Sequence, residues 1–425
     1  MPLLPDVRRT RPGADRRRAL TAIPQPEGAP AFAAWHPAPL LSRLASLDFR
    51  WRYPLAVYLL TRIVYLVVAF VAHFVRTDAY GRHWGLGSMV SNWDGKWYLT
   101  TAVHFYPHYV DRFMQNTLGF FPLYPMLMRG TGQTLGVPYW ISGLMISLVT
   151  GAAATVLVGR LARIWWGEGA ARRAVLFFCV FPGSIVFSMV YTEGLLLMLV
   201  AGSMLAIERR RWLVAGLLAG LATAVGPVAT AIIPACGVAA ISEIRRRGWR
   251  DLSGWRALLA PALAPAGIAG FAIFLWSWTG TPFASFETQR YDWHETTTPL
   301  ALPRVIGTLF KQAIGSAGPP HPNVDLNLVA ALLGTAFLVW ALVHLWRSRG
   351  HVPAYAIVWT LVIGFMTVTS NATPPNARML ICAFPAVLVV AAHLRGRAFT
   401  RLLASSTVLL VAMSLVTFVG TGLRP

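Results

Sequence analysis

Asp94 is the residue whose type and surroundings most favour chemistry. It stands in residues 91–98 (SNWDGKWY), where one carboxylate and one ammonium lie among three large aromatic side chains. A carboxylate in such a place can take a proton from an acceptor hydroxyl as a general base. We expect Trp93 and Trp97 to shield it partly from water, and Lys96 to counter the effect of that shielding. The residues alone fit equally well a solvated aspartate in an aromatic belt at a membrane surface, so both interpretations stay open.

A second group of candidate side chains lies much later in the chain. Gln289, Arg290 and Trp293 fall within residues 282–293 and offer an amide, a guanidinium and an aromatic face, which suit a phosphate and a sugar. Arg378 begins an apolar run and has no carboxylate near it in sequence. It predicts either a phosphate clamp or an arginine that snorkels to the lipid headgroups.

His104 and His108 are four residues apart, a spacing that would place both on one face of a helix, although Pro107 lies between them. No third ligand stands nearby, so the pattern does not predict a zinc site, and no other metal or cofactor is implied. Two interpretations of His104 stay open: it hydrogen-bonds to a phosphate or sugar, or it lies at an amphipathic interface.

Thr192 and Glu193 precede another apolar run. Thr192 is predicted to cap the N-terminus of a helix, and a carboxylate in the first turn suits the positive end of the helix dipole. This structural account explains Glu193 without any part in catalysis.

Composition indicates an integral membrane protein. Of the 425 residues, 56% are hydrophobic and only 12% are charged, against roughly 25% charged in soluble proteins. The net charge is +21, and in a membrane protein an excess of arginine is typical of cytosolic loops that meet anionic lipids. No nucleic-acid motif accompanies it, so nucleic acid is not a predicted partner.

Eleven apolar runs predict about eleven transmembrane helices after an Arg- and Pro-rich N-terminal segment, residues 1–50, that is expected to be a disordered cytosolic tail. Arginines fall in alternate loops between these runs, which predicts a cytosolic N-terminus and a transmembrane domain over residues 51–425. Two long, aromatic-rich loops, residues 76–139 and 279–325, then lie outside. Loops of such length are usually functional or disordered, and the density of Trp, Tyr and His argues against disorder. Within the first loop, residues 120–128 predict a re-entrant or interfacial piece.

Taken in order, five short motifs resemble the PIG-V family of mannosyltransferases and its prokaryotic relatives. These are the aromatic-Asp-Gly element at Asp94, FPLYP at residues 121–125, Phe181-Pro182 with Tyr191-Thr192-Glu193, Gln289 with Trp293, and Arg378 ahead of Phe384-Pro385. The resemblance covers residues 54–394.

The resemblance implies a C-type glycosyltransferase fold: a polytopic helical bundle in the cell membrane with its active site on the extracytoplasmic side. It implies an inverting enzyme that transfers mannose from a polyprenyl-phosphate donor to a glycolipid or cell-envelope acceptor. Asp94 takes the role of base, and Gln289, Trp293 and Arg378 become donor or acceptor contacts. Lys96, Trp97, His104 and Arg290 join them as candidate binding groups from the residues alone. The competing interpretation is a transporter or flippase of lipid-linked sugars, which predicts ionisable residues near the middle of the bilayer.

Overall fold

The computed structural model describes residues 46–75, 85–111, 115–313 and 325–419. Within these ranges the chain is almost wholly helical, with an isolated antiparallel bridge between Thr297 and Ser370. The predicted N-terminal tail, residues 1–50, lies outside the described residues except for its last five.

The helices range from long apolar rods to single turns and are numbered here in chain order. They are α1 (Arg52–Val75), α2 (Leu86–Val90), α3 (Asp94–His104), α4 (Leu123–Leu135), α5 (Tyr139–Trp166), α6 (Glu168–Val180), α7 (Glu193–Glu208), α8 (Trp212–Thr223), α9 (Ile232–Arg247), α10 (Leu252–Trp255), α11 (Leu259–Leu263), α12 (Ala266–Thr279), α13 (Ala284–Tyr291), α14 (Ala301–Ala313), α15 (Leu326–Arg347), α16 (Ala354–Val368), α17 (Ala377–Cys382), α18 (Phe384–His393) and α19 (Gly396–Val419). Short 3₁₀ helices lie at Thr117–Gly119, Pro182–Ser188, Pro227–Ala231 and Arg256–Leu258.

Several helical segments are long and apolar enough to cross a membrane. In the part of the chain that the structure describes, six meet this condition: Arg52–Val75, Tyr139–Trp166, Pro227–Arg247, Leu252–Thr279, Leu326–Arg347 and Gly396–Phe418. The helices α8, α16 and α18 are apolar but shorter. The predicted class, an all-α polytopic membrane protein, is confirmed, whereas the number of eleven crossings stays a prediction.

The run at residues 174–190, predicted as one span, is broken. α6 ends at Val180, and the 3₁₀ helix Pro182–Ser188 follows it at an angle of 70°. Proline disfavours a helical backbone in the residue before it, and Phe181 is indeed extended, with φ −61° and ψ 136°. The predicted run at 377–394 is also interrupted, because α17 ends at Cys382 and α18 begins at Phe384, with Ala383 non-helical between them.

Arg62 lies in the interior of α1, the first predicted span, and is 2% exposed. Its guanidinium donates to the carbonyl oxygen of Cys179 at 2.9 Å, to Ser184 Oγ at 3.1 Å and to the Ser184 carbonyl oxygen. The ring of Tyr65 lies 4.1 Å from its Cζ. Arg62 therefore ties α1 to the break between α6 and the 3₁₀ helix, where backbone carbonyls lack helical partners.

Candidate active site

Residues 91–98 form the start of α3, with Asp94 as its first helical residue. Trp93, just before it, has φ +57°, a backbone conformation that non-glycine residues rarely adopt and that is commoner at functional sites. The backbone N–H of Asp94 donates to the Tyr191 hydroxyl at 3.3 Å. Gly95 lies so close to the Val190 carbonyl that a Cβ there would be 3.0 Å from it. The start of α3 is thus held against the segment that leads into α7.

Arg378 forms an ion pair with Asp94, 284 residues away in sequence. The side chains are 14% and 32% exposed, so the pair is largely shielded while Asp94 keeps access to solvent. The Arg378 Cζ also lies 5.4 Å from the centre of the Tyr191 ring. The alternative of a snorkelling arginine is wrong, because this guanidinium is directed to a carboxylate.

The position of Arg378 depends on a close backbone approach. Asn376 caps α17 by accepting the backbone N–H of Met379 at 2.9 Å, which fixes the first turn of the helix. The 3₁₀ helix Pro182–Ser188 packs against this turn, and a Cβ on Gly183 would overlap the carbonyl of Ala377. Glycine at 183 therefore lets the two interrupted runs meet where Arg378 projects.

Glu193 also reaches Arg378, a contact that the sequence interpretation missed. Its Oε1 is 3.6 Å from Arg378 Nε, and its side chain is 6% exposed. Thr192 makes no capping hydrogen bond with its side chain, contrary to prediction; its hydroxyl lies 3.4 Å from that of Tyr98. A buried carboxylate at the start of an apolar helix was the available signal, since such groups are rarely buried without a partner.

An aromatic trio, Trp97, Phe120 and Trp293, lies beside the ion pair. The Trp97 ring is 5.0 Å from that of Trp293 and 6.2 Å from that of Phe120, and the last two are 5.4 Å apart. Trp97 is one helical turn beyond Asp94, so the trio and the carboxylate share one face of α3. Both indoles are half-buried, which leaves part of each available to a ligand.

The 3₁₀ turn Thr117–Gly119 docks on α13 and brings the two long loops together. Gln289 Nε2 donates to the Gly119 carbonyl at 3.1 Å. Asn116 Nδ2 donates to Asp292 Oδ2 at 2.7 Å, and the Trp293 indole N–H donates to the Asn116 carbonyl at 3.4 Å. Gln289 thus has a structural role, because it binds the backbone next to Phe120 of the aromatic trio.

A further set of hydrogen bonds, called here the Glu295 clip, joins the later long loop (residues 279–325) to residues 369–373, which precede Arg378. Glu295 accepts hydrogen bonds from the hydroxyls of Ser370 at 2.8 Å and Thr373 at 3.2 Å. The backbone N–H of Thr298 donates to the Thr369 carbonyl at 2.7 Å. Because of this clip, the loop bearing Gln289 and Trp293 is connected to the element bearing Arg378.

Of the remaining candidate side chains, Lys96 reaches the aromatic trio, whereas His104 and Arg290 do not converge on the site. Lys96 is exposed, with its Nζ 5.2 Å from the centre of the Trp97 ring. His104 is exposed at the last residue of α3, about 15 Å along the helix axis from Asp94. α3 ends there, so His108 does not share its helix. Arg290 is exposed, and its Cζ lies over the neighbouring Tyr291 ring.

Asp292 gives the stability of this region a dependence on pH. Burial, and secondly repulsion from Asp111, raise its pKa to about 6, with His294 acting in the opposite direction. The stabilisation from its protonated form is fully present below about pH 4 and is lost as the pH rises through 6. Between pH 4 and a pH above 6, we expect the free energy of unfolding of the wild type to fall by up to about 3 kcal/mol relative to that of Asp292→Asn. Thermal unfolding in detergent at a series of pH values measures this; parallel curves would contradict it.

The model of glycosyltransferase family 87 matches residues 121–370, more than half of the chain. This protein therefore belongs to that family of glycosyltransferases. Family membership does not favour the transporter or flippase that the sequence left as an alternative.

A GPI mannosyltransferase 2 from Drosophila pseudoobscura pseudoobscura is 32% identical over 116 residues, which span 25% of this chain and 24% of that protein. Among solved structures, ArnT from Cupriavidus metallidurans bound to undecaprenyl phosphate matches with 15% identity and a TM-score of 0.48, over 82% of this chain and 62% of that one. The oligosaccharyltransferase AglB from Archaeoglobus fulgidus, in complex with an inhibitory peptide and a dolichol-phosphate, matches with 11% identity and a TM-score of 0.46, over 88% and 56%.

Proposed function

We propose that this protein is an inverting membrane glycosyltransferase that moves mannose from polyprenyl-phosphate-mannose to a lipid or cell-envelope acceptor. The observation that carries the proposal is the ion pair of Asp94 and Arg378. Asp94 is partly accessible to solvent, and the half-buried indole of Trp97 lies one helical turn from it. The protein is a member of a glycosyltransferase family.

In the proposed reaction Asp94 accepts the proton of the acceptor hydroxyl as that oxygen attacks the anomeric carbon. The bond from this carbon to the phosphate oxygen breaks, and polyprenyl phosphate leaves with the bonding electrons. Attack opposite the leaving group inverts the anomeric carbon. The leaving phosphate needs stabilisation of its charge but no proton, and the scheme requires no metal.

Arg378 is the first candidate to stabilise the phosphate. Its Nη1 is engaged by Asp94 and its Nε faces Glu193, whereas Nη2 makes no hydrogen bond with the residues that the structure describes. Trp97 and Trp293 offer the sugar an aromatic surface. Lys96, His104 and Arg290 stay candidates for donor or acceptor contacts at the rim, where the structure leaves them exposed.

The mannosyl donor and the sidedness belong to the same proposal. The resemblance to the PIG-V family and its prokaryotic relatives, and the 32% identity over 116 residues to a protein named GPI mannosyltransferase 2, support a mannosyl donor. The alternation of arginine along the chain supports a multi-pass protein of the cell membrane with a cytosolic N-terminus and an extracytoplasmic site.

The proposal is tested with the full chain in lipid nanodiscs and a membrane lipid extract as acceptor. We expect transfer from polyprenyl-phosphate-mannose, little from polyprenyl-phosphate-glucose and none from GDP-mannose, with empty nanodiscs as control. Nuclear magnetic resonance of the product should show the opposite anomeric configuration to the donor. Transfer from GDP-mannose alone, or retention of configuration, would overturn the proposal.

A further inference from the structure

Glu193 and Asp94 hold one guanidinium between them, although they come from the starts of different helices. Arg378 Nη1 donates to Asp94 Oδ2, and Arg378 Nε lies 3.6 Å from Glu193 Oε1. The other oxygen of Glu193, Oε2, is buried and has no hydrogen-bond partner among the described residues. Two carboxylates therefore share one cation, with Glu193 and Arg378 largely buried and Asp94 partly accessible to solvent.

The remaining titratable groups around Glu193 carry no charge near neutral pH. Besides Asp94 and Arg378, those within electrostatic reach are Tyr98, Tyr124, Tyr191 and Cys382. Phenols and thiols are largely neutral at pH 7. Within this described set, Arg378 is the cation, and Glu193 competes with Asp94 for it.

We propose that Glu193 is a positioning residue that keeps Asp94 an effective base by taking up part of the charge of Arg378. A cation beside a carboxylate favours its ionised form and so weakens it as a proton acceptor. A general base is most effective when its proton affinity matches the working pH. A second carboxylate on the same guanidinium offsets that weakening. Because Arg378 and Glu193 are largely buried, solvent screens their interaction only in part.

This role rests on the proposed function of Asp94 as general base. It differs from a helix-dipole role, for which the charge of Glu193 would matter to folding but not to proton transfer. It also differs from a contact with substrate, since the Glu193 side chain is only 6% exposed.

The test is Glu193→Gln in the full chain, with transfer from polyprenyl-phosphate-mannose measured from about pH 3 to about pH 9. Glutamine keeps the shape and an acceptor oxygen but removes the charge. We expect the acidic limb of the kcat profile to move down by about one pH unit, which is a tenfold change in proton affinity. The plateau should fall about threefold, as expected for a weaker base.

Glu193→Asp retains the charge but draws it back by one methylene, so it should give a smaller shift in the same direction. If Glu193→Gln does not fold, the acidic limb of the Glu193→Asp profile tests the inference instead. An acidic limb that stays at the wild-type pH in the folded variants, whatever their rate, would overturn the inference. Full transfer by Asp94→Asn would instead overturn the proposed function, so the two failures are distinguishable.

Discussion

Replacing Asp94 by asparagine is expected to reduce transfer about a thousandfold, the middle of the range that a general base contributes. Asparagine fills the same volume and keeps a hydrogen-bond acceptor for Arg378, but it cannot accept the hydroxyl proton. The loss should appear in kcat at saturating donor, because the donor phosphate is not bound by this side chain. The measurement is transfer from polyprenyl-phosphate-mannose per folded molecule, with folding checked by gel filtration in detergent.

Asp251→Asn is a matched control for Asp94→Asn. Asp251 precedes α10 and accepts the backbone N–H of Ser253 at 2.9 Å; its ion pair with Arg247, at 3.5 Å, is exposed and adds little to stability. Asparagine caps helices as well as aspartate, so both folding and transfer should be unchanged. If Asp94→Asn transferred at the wild-type rate with the control, Asp94 would be a structural partner of Arg378 and not the base.

Replacing Arg378 by alanine is expected to lower kcat/KM about a hundredfold and to raise the KM for the donor. The change removes the cation that faces the leaving phosphate and leaves Asp94 and Glu193 as neighbouring anions. Breaking a buried pair in this way destabilises a protein by about 3–5 kcal/mol, so a fall in Tm is also expected. Kinetics at several donor concentrations and thermal unfolding separate the two effects.

The variant Arg378→Lys separates the contribution of the positive charge from that of the guanidinium geometry. Lysine retains the charge, but a single ammonium lacks the planar fork that faces two carboxylates from different helices. We expect folding to recover more than donor binding does. A variant Arg378→Ala with reduced stability but an unchanged KM for the donor would return Arg378 to a purely structural role.

A double-mutant cycle between Asp94→Asn and Arg378→Ala also bears on these predictions. Residues in direct contact show coupling, so the two effects on transfer should not add.

Much of the architecture could be predicted from the sequence because hydrophobicity and helix breakers act locally. Apolar runs of about 20 residues indicate spans wherever they occur, and the described helices confirm an all-α membrane fold. The aromatic surroundings of Asp94 drew attention to this residue in advance, but the helix α3 that it begins was not predicted. Hydropathy alone did not predict the breaks within two apolar runs, which are interrupted near Pro182 and Pro385.

The candidate site was predicted in parts but not as a unit. Trp97 and Trp293 were proposed on separate loops, and the structure places their rings 5.0 Å apart. His104 and Arg290 were proposed on the same grounds, yet their side chains are exposed and do not converge on Asp94. Residue type indicates which chemistry a side chain can supply, whereas its direction depends on the helix face and on the packing of the loop.

The sequence by itself indicated a polytopic membrane protein, which the structure confirms, and predicted two long aromatic-rich segments between spans and Asp94 as a candidate for proton transfer. The tertiary structure decided that Arg378 pairs with Asp94 and that Glu193 shares the same guanidinium. These contacts join segments up to 284 residues apart, and no local pattern records which distant charges meet. They follow from the close approach at Gly183 and from the clip at Glu295, which exist only once the helices have packed.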